Sequence, residues 1–171
     1  MTRKGERLFA EGVNFLLFLI LAFAHNTGFR PFNIGGANPF SVFALLIAFS
    51  MFATEWSSCF AGLFLGIFMD SGSANGSIFY TILFFLSALF VTVASRYIFN
   101  NNLRAAIVIC LICSILLFGT RWLIFYGLNI GAAESIAFLF KSALPSAVYT
   151  TVFIIPFYYF ERAIFKYLIN Q

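Results

Sequence analysis

Few side chains of this sequence are of a type that does chemistry, and their spacing assembles no catalytic group. His25 is the only histidine, which excludes a histidine-based metal cluster or catalytic dyad within the chain. Cys110 and Cys113 have the spacing of a redox motif, but their apolar surroundings contain no group that would activate a thiol. Glu55 and Asp70 are separated by a whole predicted helix and should lie at its opposite ends. The sequence therefore predicts no catalytic residue, no metal site and no cofactor.

The most regular pattern is a row of small or polar residues at a spacing of four: Ser58, Gly62, Gly66 and Asp70. On a helix these positions share one face, and Gly-xxx-Gly lets a second helix approach to backbone contact. Two interpretations are open. The row is an internal packing face, or it also holds Asp70 beside a cation, for which Arg121 is the best candidate. Arg121 itself either forms that pair or extends to the membrane interface.

The distribution of charge indicates which elements must position these residues. Between Glu11 and Glu161, 149 residues carry only eight charges. The charge-free stretches contain 18, 24, 25 and 19 residues, at positions 12–29, 31–54, 71–95 and 142–160. A helix needs roughly 20 residues to cross about 30 Å of hydrocarbon. Because hydrophobic residues also make up 62% of the chain, the sequence predicts an all-α, polytopic integral membrane protein.

We predict about six transmembrane helices in a single membrane domain that covers residues 1–171. Their approximate ranges are 9–26, 39–54, 56–70, 78–95, 103–126 and 138–160, with polar loops rich in Gly, Ser or Asn between them. Pro39 suits the first turn of helix 2, and Pro145 and Pro156 are predicted kink points of helix 6. A re-entrant hairpin formed by helices 2 and 3 is an alternative that leaves the position of both termini unchanged.

The basic residues predict the orientation. With six crossings and the N-terminus inside, seven of the ten basic residues lie on the cytoplasmic side: Arg3, Lys4, Arg7, Arg96, Arg104, Arg162 and Lys166. Only Arg30 and Lys141 then lie outside. This positive-inside pattern predicts that both termini are cytoplasmic. It also accounts for the net charge of +4 through contact with membrane lipid, without a nucleic-acid partner.

Two segments carry a family resemblance. Gly62–Gly76 contains a Gly-xxx-Gly-xxx-Asp helix end followed by a loop of small residues that closes on glycine. Leu144–Thr150, which includes Pro145 and Tyr149, lies near the start of the last apolar segment. In this order, and with this chain length and predicted topology, the two segments resemble the rod shape-determining MreD family over nearly the whole chain.

The resemblance implies a non-catalytic adaptor of cell-wall elongation in the bacterial inner membrane, required for cell shape. Such proteins bind MreC, which has one membrane span. They act with the RodA glycosyltransferase, a penicillin-binding transpeptidase and the MreB cytoskeleton, the last of these directly or indirectly. The six-helix core of the family also resembles the substrate-binding subunits of energy-coupling-factor vitamin transporters.

A vitamin-binding subunit of such a transporter is therefore the alternative function. It would need an outward-facing pocket with several convergent polar or aromatic groups. The predicted outer face offers such groups at Asn26, Asn33, Asn38, Ser73, Asn75, Trp122, Tyr126 and Asn129. The scarcity of charge on that face and the Gly-rich loop between helices 1 and 2 favour the adaptor.

Overall fold

The computed structural model describes residues 3–27, 38–72, 78–97, 102–127 and 136–169. Within these ranges the chain is helical and contains no strand, so the predicted all-α fold class is confirmed. The six α-helices are α1 (Arg3–Asn26), α2 (Ser41–Phe52), α3 (Glu55–Ser71), α4 (Phe79–Tyr97), α5 (Leu103–Trp122) and α6 (Leu144–Ile169). The predicted loops between helices 1 and 2, 3 and 4, 4 and 5, and 5 and 6 lie largely outside the described residues.

Two helices extend beyond their predicted ends. α1 begins at Arg3 rather than near Phe9, and α6 continues to Ile169 rather than ending near Phe160. The prediction used the edge of the apolar stretch as the end of the helix. Lys, Arg and Glu are strong helix formers, so the backbone remains helical after the hydrophobic pattern has ended.

Pro39 does not lie in the first turn of α2, which corrects the prediction. The helix begins at Ser41, and Phe40 is its N-cap residue with φ −92° and ψ 71°. The Phe40 N–H donates to the Thr150 hydroxyl of α6 at 2.9 Å, so this part of the backbone is fixed to another helix before α2 starts.

Turns of π-helix stand at both sides of the connection between α5 and α6. One follows α5 at Leu123–Gly127, and the other precedes α6 at Leu139–Ala143. Pro145 lies two residues after the end of the second turn and lacks the N–H that an α-helix would use there, so a wider turn before it is a normal accommodation. Pro156 lies inside α6, and the kink there stays a prediction.

α2 is the central helix of the bundle. Each of its ten residues from Val42 to Met51 is buried, and it contacts α1, α3, α4, α5 and α6. A helix that is apolar on all sides belongs in such a position. With 12 residues it is about 18 Å long, which is shorter than the roughly 30 Å hydrocarbon layer. The surrounding helices therefore separate α2 from the outer surface of the bundle.

Consecutive helices run in alternating directions, which gives the bundle two ends. The end of α3 at Asp70 contacts the start of α4 at Tyr80, and the start of α3 at Glu55 contacts the end of α4 at Arg96. We call these the Asp70 end and the Glu55 end. In the part of the chain that the structure describes, three helical segments are long and apolar enough to span a membrane: Phe79–Tyr97, Leu103–Phe125 and Ile136–Lys166.

Candidate functional site

The row of small residues on α3 packs against α4 of the same chain. A Cβ atom added at Gly62 would lie 2.8 Å from the Phe84 carbonyl oxygen. One added at Gly66 would lie 2.8 Å from the Thr81 backbone nitrogen, and real Cβ atoms essentially never come closer than 3.0 Å. Ser58 of the same row is fully buried. The row is an internal packing face, as the first interpretation predicted, and α4 already covers it.

Asp70, at the end of this row, caps the N-terminus of α4. Its two carboxylate oxygens accept from the Tyr80 N–H at 3.0 Å, from the Thr81 N–H at 2.8 Å and from the Thr81 hydroxyl at 2.7 Å. The first N–H groups of a helix have no partner within the helix, and a negative charge there is also favoured by the helix dipole. Gly62 and Gly66 bring α3 and α4 close enough for this cap. The Gly-xxx-Gly-xxx-Asp pattern therefore holds the two helices together through close packing and through hydrogen bonds.

Of the two open interpretations of Arg121, the ion pair with Asp70 is not seen: the structure describes both residues and no salt bridge joins them. The Arg121 guanidinium carbon lies 6.0 Å from the centre of the Tyr80 ring, and the side chain is exposed. Among the described residues the salt bridge is at the other end of the bundle, between Arg96 Nη1 and Glu55 Oε1 at 3.1 Å. Because the start of α4 engages the Asp70 carboxylate, the cation instead extends over an aromatic ring.

The start of α2 is held by two hydroxyls from the segment Leu144–Thr150. The Asn38 N–H donates to Ser146 Oγ at 3.2 Å, and the Phe40 N–H donates to Thr150 Oγ1 at 2.9 Å. The two hydroxyl residues are one helical turn apart and therefore share a face of α6. They satisfy backbone donors that would otherwise be left inside an apolar bundle.

Pro145 and Tyr149, which the sequence singled out in that segment, have other surroundings. Pro145 is half-buried beside the π-helical turn. The Tyr149 ring meets the Phe153 ring edge to face, with their centres 5.4 Å apart on the same helix. Neither side chain is part of the contact that holds α2.

A polar cavity of about 230 Å³ opens at the Asp70 end. Its polar lining comes from four helical regions and includes His25, Asn38, Arg121, Ser142 and Ser146. Aromatic side chains complete the wall, so the cavity combines one fixed cation with hydrogen-bonding groups and rings. Such a combination can bind a small polar molecule.

The cavity contains only part of the group of residues predicted for a vitamin pocket. Asn38 and Trp122 line it. Asn26 does not: its amide donates to the Phe68 carbonyl at 3.2 Å and its side chain packs on Gly72. Of the remaining predicted candidates, Asn33, Ser73, Asn75 and Asn129 lie outside the described residues, and so does the side chain of Tyr126.

A second candidate site is an apolar groove along the line between α1 and α3. It has two parts, of about 370 and 600 Å³, that follow each other along the two helices. We call it the α1–α3 seam and define it by the side chains Phe15, Leu19, Phe23, Ala24, Phe60, Ala61, Phe64 and Phe68. Two of its rings, Phe23 and Phe60, are 64% and 66% exposed, so the seam is open to the surroundings.

One buried polar contact was missed in the sequence. Asn14 of α1 donates through Nδ2 to Glu161 Oε2 of α6 at 3.0 Å, and both residues are 0% exposed. In the sequence, Glu161 stands at the end of a charge-free stretch, where a charge is expected at the surface. An amide in the middle of the first apolar helix was the available signal, because polar groups within such helices face the protein interior.

The remaining residues of chemical interest are dispersed. Cys110 and Cys113 are buried in α5, and Cys59 is half-buried in α3. No group of three or more His, Cys, Asp or Glu side chains that could hold a metal ion is found in the part of the chain that the structure describes. The arrangement offers packing surfaces, a small polar cavity and a buried acid–amide pair.

Comparison of the chain with models of protein families, with curated proteins and with solved structures found no match. The function must therefore be argued from the residues, the contacts and the resemblance noted above.

Proposed function

We propose that the chain is a multi-pass adaptor of the bacterial cell-wall elongation machinery. In this proposal it binds MreC in the inner membrane and links it to the RodA glycosyltransferase and the penicillin-binding transpeptidase. The resemblance of Gly62–Gly76 and Leu144–Thr150 to the MreD family supports this function. Both segments build contacts inside the bundle, so their role in an adaptor is to fix the shape of the surface that partners meet.

The α1–α3 seam is the observation that carries the proposal. It extends from the region of Glu11 to Thr27, which corresponds to about 24 Å along a helix and covers most of a bilayer's hydrocarbon layer. Small side chains at Ala24 and Ala61 lie between exposed rings and leave room for a second helix to approach. Association of helices in lipid depends on such close packing, since apolar surface alone gives no advantage over lipid tails.

The seam also suits a partner with one membrane-spanning helix better than a soluble partner. At the Glu55 end it is closed by a polar contact in which Ser57 Oγ donates to Glu11 Oε1 at 2.9 Å. The rest of the seam is apolar and faces outward. A partner helix lying in it would exchange lipid contacts for ring and alanine contacts along its whole length.

A vitamin-binding subunit is the second candidate function, and the polar cavity at the Asp70 end favours it. The cavity contains Arg121, His25 and several hydrogen-bonding groups, as a solute site requires. Its volume of about 230 Å³ is below the roughly 300–1,000 Å³ of pockets that enclose drug-sized ligands. The size of the cavity therefore favours the adaptor as the main function.

Depletion of the protein from a rod-shaped host should give rounded, widened cells while vitamin uptake continues. Resupplying the chain should restore the rod shape, and resupplying Ala61→Phe should not, because the added ring fills the seam. Cell width and the recovery of MreC with the tagged chain are the measurements. Ile112→Phe is the matched control, since Ile112 is 44% exposed on α5, away from the seam.

Two results would contradict this proposal. A depleted strain that keeps its shape and acquires a vitamin requirement would replace the adaptor with the transporter subunit. Full restoration of shape and MreC recovery by Ala61→Phe, at normal abundance, would exclude the seam as the docking surface.

We also propose that the six helices cross the membrane with both termini in the cytoplasm, which puts the Glu55 end inside. Arg96, Arg104 and Arg162 all lie toward that end, in agreement with the positive-inside rule. Reporter fusions after Asn101 and after Gln171 should give cytoplasmic signals, and a fusion after Ser73 an external one. An external signal at Gln171 would rule out this orientation.

A further inference from the structure

The pair formed by Asn14 and Glu161 contains two acceptor atoms that lack a hydrogen-bond donor. Asn14 Nδ2 donates to Glu161 Oε2 at 3.0 Å, which leaves Asn14 Oδ1 and Glu161 Oε1. Both of these atoms are buried and have no hydrogen-bond partner. The two acceptors belong to groups that already share one hydrogen bond, so a single proton on the carboxyl group could satisfy both of them.

An ionised Glu161 would be costly in this place. A buried carboxylate needs a cation or several donors, and a single neutral amide donor is insufficient. Among the side chains that the structure describes, the hydrogen bond to the Glu161 carboxylate comes from Asn14 and no salt bridge reaches it. Arg162 follows Glu161 in the sequence, but its side chain is exposed while Glu161 is 0% exposed, so the two point to different faces of α6.

The charged and titratable groups on the elements packed around the pair are as follows. α2 contributes none between Ser41 and Phe52. α5 contributes Arg104 and Arg121, which are exposed, and the buried Cys110 and Cys113. α6 itself carries Tyr149, Tyr158, Tyr159, Arg162, Lys166 and Tyr167 beside Glu161, and α1 carries Arg3, Lys4, Glu6, Arg7, Glu11 and His25 beside Asn14. The salt bridge found among the described residues, Arg96 with Glu55, involves none of them.

We propose that the pair is a proton-binding site that latches α1 to α6. Glu161 is held as the neutral acid, and its Oε1–H donates to Asn14 Oδ1 while Asn14 Nδ2 donates to Glu161 Oε2. The two hydrogen bonds close an acid–amide ring, and one proton thereby satisfies both orphaned acceptors. When α1 and α6 separate, the proton passes from Oε1 to water and the carboxylate remains as the hydrated anion.

This site gives α1 two roles that are coupled. Its inner face holds the proton-dependent contact with α6, and its outer face forms one wall of the α1–α3 seam. Loss of the proton should therefore loosen the helix that shapes the seam. The latch itself stands on the buried pair and does not require that the seam binds any partner.

Infrared spectroscopy on the full-length protein in lipid vesicles tests the protonation state directly. At neutral pH the wild type should show the carbonyl stretch of a carboxylic acid, shifted in deuterium oxide and absent from Glu161→Gln. Glu55→Gln is the matched control, because Glu55 is half-exposed and paired with Arg96, and should leave the acid band unchanged. A wild-type spectrum with carboxylate bands only would overturn the proposal.

A second variant keeps the test valid if Glu161→Gln does not accumulate. Asn14→Leu removes the proposed acceptor, so the acid band should remain but move to the higher frequency of a carbonyl with weaker hydrogen bonding. An unchanged band position would contradict the ring.

In the wild type, stability is present while the proton is bound and should be lost as the pH rises, whereas Glu161→Gln should unfold at a temperature that varies little with pH. Equal pH dependence in both proteins would also refute the latch.

Discussion

Replacement of Gly66 by leucine should prevent the chain from accumulating as a folded protein in the membrane. A Cβ atom at this position would lie 2.8 Å from the Thr81 nitrogen and 2.9 Å from the Tyr80 carbonyl oxygen. These are backbone atoms at the start of α4, so no side-chain rotation relieves the contact. Because overpacking with a flexible neighbour already costs about 1–3 kcal/mol, we expect a loss of at least about 3 kcal/mol here. Abundance in membranes and thermal unfolding in detergent are the measurements.

Gly119→Leu provides the matched control for that experiment. Gly119 lies in α5, and a Cβ atom there would have nothing within 4 Å. Leucine is also a better helix former than glycine, so this variant should be as stable as the wild type or slightly more stable. Similar behaviour of Gly66→Leu and Gly119→Leu would show that the approach of α3 to α4 is not as close as the structure has it.

Asp70→Ala should have the second-largest effect, because it removes the acceptor for three donors at once. The Tyr80 and Thr81 N–H groups would lose their partner in a half-buried position, and the Thr81 hydroxyl would lose its own. Hydrogen bonds to a charged group contribute about 1.5–3 kcal/mol each, and the three are not additive. We expect a loss of about 3 kcal/mol in the free energy of unfolding.

Two further variants separate the cap from the alternative ion pair. Thr81→Val removes one of the three bonds and should cost about 1 kcal/mol. Arg121→Gln should change stability by less than about 1 kcal/mol, because an exposed arginine over a ring contributes about 0.5–1 kcal/mol. The contrary result would be that Arg121→Gln destabilises the protein as much as Asp70→Ala, with strong coupling in the double mutant. That result would support an ion pair between Asp70 and Arg121 in place of the arrangement described here.

The helices could be located from the sequence because charge is excluded from apolar segments. The predicted range 56–70 differs by one residue at each end from α3 at Glu55–Ser71. The central position of α2 was not predicted. In lipid an outward-facing helix and an enclosed helix have the same hydrophobic pattern, so the pattern cannot distinguish them.

Some contacts of the candidate site could likewise be predicted from the sequence, and others could not. The close approach at Gly62 and Gly66 was predictable, since Gly-xxx-Gly has a direct steric meaning. The partner of Asp70 was not predictable, although it lies only ten residues further along the chain, because nearly every residue has a backbone N–H and the sequence does not mark which of them a carboxylate meets. The contact between Asn14 and Glu161 joins positions 147 residues apart and depends on how α1 meets α6.

The enclosure of α2 has a consequence for biogenesis. In the topology that we propose, α2 enters the membrane before α6 exists, so it first contacts lipid on every side and needs its unbroken apolar surface for that stage. Its start acquires the hydroxyls of Ser146 and Thr150 only after the last helix has been made. A nascent chain that ends before Leu144 should therefore remain an open assembly and be recognised by membrane proteases, and release of the completed C-terminal helix is the step that protects it.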